Sequence, residues 1–113
     1  MSDVVYIDVD DGLKRVLNNS KLYARLLGKF KVDTNLKNLD DALSNNDIEN
    51  ARNFAHTLKG LAANLSLIEL YNKSLELESQ LKSGAVNPDL LTLVKDVNEQ
   101  TLIEVDKVIA QYA

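Results

Sequence analysis

The sequence predicts an all-α protein, an antiparallel up-down four-helix bundle with one or two short additional helical segments near its N-terminus. Three observations predict it. Apolar residues recur three and four apart over most of the 113 residues. Short polar links of Asn, Ser, Asp and Gly separate the periodic runs. The one apolar, β-branched stretch, residues 2–9, has no second strand to pair with. Amphipathic helices joined by short links bury their stripes most economically as an antiparallel bundle.

Residues 2–9 read as an extended arm, with Val5, Tyr6 or Ile7 covering one end of the bundle. Asp10 or Asp11 is placed to cap a short helix through Leu17, and Asn18-Asn19 ends it. Ser20 opens the next helix, carrying Leu22, Tyr23, Leu26, Leu27 and Phe30 at helical spacing. Asp33-Thr34-Asn35 interrupts it, and the period resumes at Leu36, Leu39, Ala42 and Leu43. Two helices and one bent helix both fit.

After the turn Ser44-Asn45-Asn46, Asp47 caps a helix that breaks at Asn64-Leu65-Ser66. Ser66 and Glu69 then read as an S-x-x-E capping box for the following helix. That helix carries Leu67, Leu70, Tyr71, Leu75, Leu77 and Leu81 and stops at Ser83-Gly84. Asn87-Pro88 is a cap followed by proline in the first turn, where its missing N–H costs nothing. Leu90, Leu91, Val94, Val97, Thr101, Val105, Val108 and Tyr112 form the stripe of the final helix. The expected long helices of about 18–22 residues would span roughly 27–33 Å.

The composition narrows the function classes. Apolar content of 45% and charged content of 27% are those of a globular domain with a real core. Absence of cysteine excludes disulfides and thiolate metal sites. No apolar run approaches the ~20 residues of a membrane span, and the N-terminus lacks the basic start of a signal peptide. A cytoplasmic location is therefore expected. A net charge of −4 with scattered arginines argues against a nucleic-acid partner.

The helix after Asp47 holds the only histidine. At about 100° per residue, Ile48, Ala51, Ala55, Leu58, Ala62 and Leu65 share one side, widened along one edge by Phe54 and Leu61. His56 falls on the opposite flank with Glu49, Arg52, Gly60 and Ala63, and Lys59 lies one turn along. Gly60 costs about 1 kcal/mol relative to alanine in a helix that shows no sign of ending there. Its presence beside a solvent-facing imidazole suggests that something large must approach the ring. Bland readings stand beside this one. A lone helical histidine is often structural, Lys59 can simply solvate a helix flank, and Gly60 can serve close helix packing. Glu78, Gln80 and Lys82 on the next helix could reach the patch, but a solvated face is the simpler reading. Tyr71 and Tyr112 read as core or bundle-end residues.

Ala55-His56-Thr57-Leu58-Lys59-Gly60, followed by Leu61-Ala62-Ala63-Asn64-Leu65, resembles the signature of histidine-containing phosphotransfer (HPt) domains of bacterial multi-step phosphorelays. The resemblance runs from about residue 8 to about residue 84, through Asp11–Arg15, Leu22–Phe30, Leu43–Asp47, Leu70 and Leu75–Glu78; the last helix fits by pattern alone. Ser66 departs from it, since the family often has glycine there.

The resemblance implies a single HPt domain over residues 1–113, with residues 1–9 as its arm. It implies that His56 accepts a phosphoryl group from a receiver-domain aspartate and passes it to another. Lys59 would neutralise phosphoryl charge and Gly60 would leave room for the receiver. The expected partners are response-regulator receiver domains and a hybrid sensor histidine kinase. Mg²⁺ would come from the receiver, since no carboxylate cluster suggests a dedicated site. No cofactor of its own is expected, and without a P-loop or glycine-rich nucleotide loop the protein would carry phosphate rather than make it from ATP. Met1 and the clean end near Ala113 favour a free-standing module, and polar residues on every helix favour a monomer.

Two other classes give different expectations. A catalytically silent module would dock receivers or a helical partner through the same face and never be labelled. A metal or haem bundle is disfavoured, because di-metal bundles use Glu-x-x-His pairs and position 53 is Asn.

Overall fold

The computed structural model describes residues 4–112, and every regular element among them is helical. Six helices follow in order: α1 (Val9–Arg15), α2 (Ser20–Lys31), α3 (Asn35–Ser44), α4 (Ile48–Leu65), α5 (Ile68–Lys82) and α6 (Pro88–Tyr112). The all-helical bundle follows the sequence pattern closely, with instructive departures.

The first long segment is two helices, not one. Asp33 accepts from the backbone N–H and the side-chain amide of Asn35, fixing a corner between α2 and α3. The pair still acts as one bundle member. Lys31 at the end of α2 bonds Asp106, and Asp40 in α3 bonds Lys95. Advancing along α2 and α3 therefore means retreating along α6, the antiparallel relation a single bent helix would have. Helix lengths consequently spread, with 18 residues in α4, 15 in α5 and 25 in α6.

Caps account for the other boundaries. Asp47 accepts the Asn50 N–H at the start of α4, and Asn87 accepts those of Asp89 and Leu90 at the start of α6. At α1 the cap is Asp8, not Asp10 or Asp11, and the helix ends at Arg15 rather than Leu17. Asp10 and Asp11 instead sit in the first turn, where the helix dipole favours carboxylates. The arm thus ends at Asp8, with Ile7 buried in the core and Val4 and Val5 exposed. Residues 1–3, the start of that arm, lie outside the described residues, as does Ala113.

The expected capping box at Ser66 does not form. Ser66 lies at φ 60°, ψ 37°, the left-handed conformation that closes α4, and Leu67 occupies the cap position of α5. Its hydroxyl is turned away and donates to Asp11 Oδ2 at 2.5 Å. Left-handed backbone carries a steric cost for a residue with a Cβ, so glycine would be the unstrained residue at this position.

This elbow gathers the N-terminal region. Tyr23 is fully buried, and its hydroxyl donates to the Leu65 carbonyl at 2.7 Å. Asp8 N–H donates to the Ser66 carbonyl at 2.9 Å. Gly12 of α1 lies flat against the Tyr23 ring, where an added Cβ would stand 2.4 Å from Cζ. Around the elbow α4 and α5 form a tight antiparallel hairpin, and α6 closes the bundle against α5 and α2. Ala51, Ala55, Leu58, Ala62 and Leu65 are the buried stripe of α4, as the period requires. Leu75, assigned to the α5 stripe by spacing, is instead 42% exposed.

Candidate functional site

Antiparallel hairpin register decides what stands beside His56. With Leu67 at the elbow, His56 on α4 and Glu78 on α5 lie equally far from it in sequence and meet across the pair. The imidazole side chain is 68% exposed, and its Nδ1 lies 2.7 Å from Glu78 Oε2. The other carboxylate oxygen, Oε1, accepts from Lys59 Nζ, also at 2.7 Å. Glu78 itself is only 5% exposed, so it reaches the surface solely through these two partners.

The solvated-face reading of Glu78 is therefore wrong. Its backbone position sits at the edge of the α5 stripe, next to buried Leu77 and Leu81 and one turn from buried Ser74. The hairpin folds His56 and Lys59 over it. Two signals for this were present in the sequence: a carboxylate one position from the core stripe, and its equal distance from the elbow with His56. Lys82 is exposed, as a solvated face requires. Gln80 is half-buried, and its side-chain oxygen has no hydrogen-bond partner.

Electrostatics follow from this arrangement. Burial works to raise the Glu78 pKa, but the hydrogen bonds from Lys59 and His56 outweigh it and hold the carboxyl below its usual range. Glu78 is thus a buried anion with a cation on one oxygen and an imidazole on the other. An ionised carboxylate only accepts hydrogen bonds, so Nδ1 carries the proton. A neutral ring then has its lone pair on Nε2, across the ring from Glu78, and no group among the described residues bonds that atom.

The three residues singled out by sequence are thus brought together, with one refinement. Lys59 is not a free cation beside the ring, because its side chain is 22% exposed and engaged by Glu78. At Gly60, an added Cβ would meet nothing within 4 Å outside its own helix. That removes close helix packing as the reason for glycine and leaves open space beside the imidazole. Among the described residues no three His, Cys, Asp or Glu side chains converge as a metal site, and no helix is long and apolar enough to cross a membrane.

A helical bundle that holds one oriented imidazole at its surface, with bare backbone one turn away, is a module built to meet another macromolecule. The family model for the Hpt domain matches residues 29–108, and the chain belongs to that family. Hpt domains are phosphocarriers of two-component phosphorelays rather than kinases, and they act with response-regulator receivers and kinases. The match runs from Lys29, near the end of α2, to Val108 in α6. It thus covers most of the helix that resemblance alone had left to its periodicity and leaves out α1 and most of α2. No curated protein and no solved structure matched the chain.

Proposed function

We propose that His56 is the phosphoryl carrier and that it relays between two receiver domains. The observation that carries this reading is the single hydrogen bond from Nδ1 to Glu78, which leaves Nε2 as the basic, solvent-facing nitrogen. Its lone pair attacks the phosphorus of a receiver's aspartyl phosphate. The N–P bond forms as the P–O bond to the aspartate breaks, and the carboxylate leaves with that electron pair. The ring becomes a cation, and Glu78, still accepting from Nδ1–H, offsets the charge. The reverse step delivers the phosphoryl group to a second receiver's aspartate.

Positioning and charge neutralisation carry most of the catalysis in such transfers. Glu78 fixes the tautomer and the ring. Lys59 keeps Glu78 ionised, and its ammonium has three donors, of which Glu78 takes one. The others are available to phosphoryl oxygens. Gly60 leaves the receiver's loops free to approach. Mg²⁺ would arrive with the receiver and neutralise phosphoryl charge there. The protein would work in the cytoplasm as a monomer, with a hybrid sensor kinase upstream.

Transfer from phosphorylated receivers with labelled phosphate tests the reading. Wild type should become labelled and should pass the label to a second receiver. His56→Gln should stay unlabelled with unchanged helical content, since the side chain is mostly in solvent. An acid-stable, base-labile label would contradict phosphohistidine. Binding without any labelling would instead leave a silent docking module.

A further inference from the structure

Two helical turns beyond His56 the same flank runs into a cleft of about 270 Å³. Its floor is Ala62 and Ala63 of α4, its far wall is Leu67, Ile68 and Tyr71, and its near rim is α1 with Asp8, Asp11 and Arg15. Ala63 lies on the His56 strip, seven residues on, about 10 Å along the axis. Hairpin register places Tyr71 opposite Ala63 as it places Glu78 opposite His56. Between the two pairs stand Gly60, with nothing near its missing Cβ, and Leu75, 42% exposed. An apolar lane thus leads from the imidazole to the cleft. In the other direction along the hairpin the flank is polar and charged, with exposed Glu49, Arg52, Asn53, Ser79 and Lys82.

We infer that this cleft is the specificity pocket of the docking face, filled by an apolar side chain of the receiver with a basic residue of the receiver lying over Asp8. The inference rests on the proposed transfer at His56. A receiver that delivers a phosphoryl group there must cover the surroundings. Even a small transient interface buries about 600 Å² per partner, a disc of about 14 Å radius, so a footprint centred on His56 reaches Ala63. Apolar concavity, the feature that anchors interfaces, lies toward this end on both sides of α4: in this cleft, and in one of about 330 Å³ against α2 lined by Leu26, Phe30, Leu61 and Leu65. Of the two, only this cleft is reached along the His56 strip itself. Charge sets the flanking residue. Arg15 is tied to Asp11 at 2.9 Å, whereas among the described residues the exposed Asp8 carboxylate accepts only the Asp11 N–H of its own cap. Two carboxylates and one guanidinium leave the rim with one net negative charge.

The test measures phosphotransfer from a cognate receiver against receiver concentration, for wild type, Ala63→Phe and Asp8→Lys. Ala63→Phe, which fills the cleft from its half-buried floor, should raise the half-saturating receiver concentration by about tenfold, the scale of a lost interface anchor. Asp8→Lys should slow transfer by about three- to tenfold at low salt, with the deficit shrinking toward 0.5 M salt, roughly where screening removes rim electrostatics. Backbone amide shifts of the wild-type protein on adding receiver provide a readout independent of variant folding. Asp8, Ala63 and Tyr71 should move together with His56. Unchanged half-saturation in Ala63→Phe, or shifts confined to His56 and the Arg52–Lys82 end, would overturn the pocket and leave transfer intact. A wild type that no receiver labels would overturn both.

Discussion

Glu78 holds His56 by Nδ1 and Lys59 by its ammonium, each at 2.7 Å, so one nearly buried carboxylate orients both residues at the face of α4. Replacing that carboxylate by its neutral isostere separates its charge from its shape. Glu78→Gln should slow receiver-to-His56 transfer by about tenfold, the scale on which a carboxylate behind a functional imidazole acts in other sites. It should also lower stability at neutral pH by about 1–2 kcal/mol, since hydrogen bonds to charged groups exceed neutral ones. The pH dependence has a definite sign. A carboxyl held below its usual range in the fold stabilises the fold above that range, and the contribution is lost as acid protonates it. Denaturant melts of wild type and Glu78→Gln should therefore converge as the pH is lowered into the carboxylate range. Parallel curves would mean that Glu78 is not charged in the fold.

Gly60 separates stability from function. With open space where its Cβ would stand, Gly60→Ala should stabilise the protein by up to about 1 kcal/mol on helix propensity alone. The same methyl group should slow transfer from a receiver, and Gly60→Leu should slow it more. A stabilised Gly60→Ala with wild-type transfer would remove access as the reason for glycine.

At the elbow, Ser66 carries opposing effects. Its φ of 60° costs a residue with a Cβ about 1–2 kcal/mol relative to glycine. Its hydroxyl bond to Asp11 compensates, and that bond together with Arg15 holds the Asp11 carboxyl below its usual range. Ser66→Gly should therefore be close to neutral, whereas Ser66→Ala keeps the strain, loses the bond and should be the less stable variant. Chemical denaturation of the three proteins side by side gives the order.

These residues also show what the sequence could and could not reveal. Periodicity with Asp47, Asn87-Pro88 and Ser83-Gly84 marked the boundaries of α4, α5 and α6, because caps and stripes are local effects. His56, Lys59 and Gly60 were legible as one patch for the same reason. Glu78 was not, since its partners belong to a different helix and its burial depends on the depth of the hairpin. Ser66 was misread as a cap because its left-handed backbone and its bond to Asp11, 55 residues away, are both products of the fold. Leu75 looked like core by spacing, and its exposure became visible only once α5 had a fixed rotation against α4.

The packing of α1 gives the sharpest stability expectation. A methyl group at Gly12 would stand 2.4 Å from Tyr23 Cζ, and Tyr23 is fully buried with its hydroxyl fixed on the Leu65 carbonyl. Neither partner can yield without loosening α1 or breaking that bond. Gly12→Ala should therefore cost about 1–3 kcal/mol as an overpacked contact, against the small gain that alanine normally brings to a helix. Tyr23 itself reports which partner moves. Burial, reinforced by the charges of Asp8 and Asp11, pushes its phenol up to about 12. Its contribution to stability is present below the ordinary tyrosine range near pH 10 and is lost as the pH rises toward 12. In wild type Tyr23 should thus give a late step near pH 12 on alkaline titration, followed by tyrosinate absorbance. In Gly12→Ala that late step should move toward 10, most if the ring is expelled and less if α1 lifts away and takes the charges of Asp8 and Asp11 with it. A variant as stable as wild type would show that α1 is not packed on Tyr23 at all.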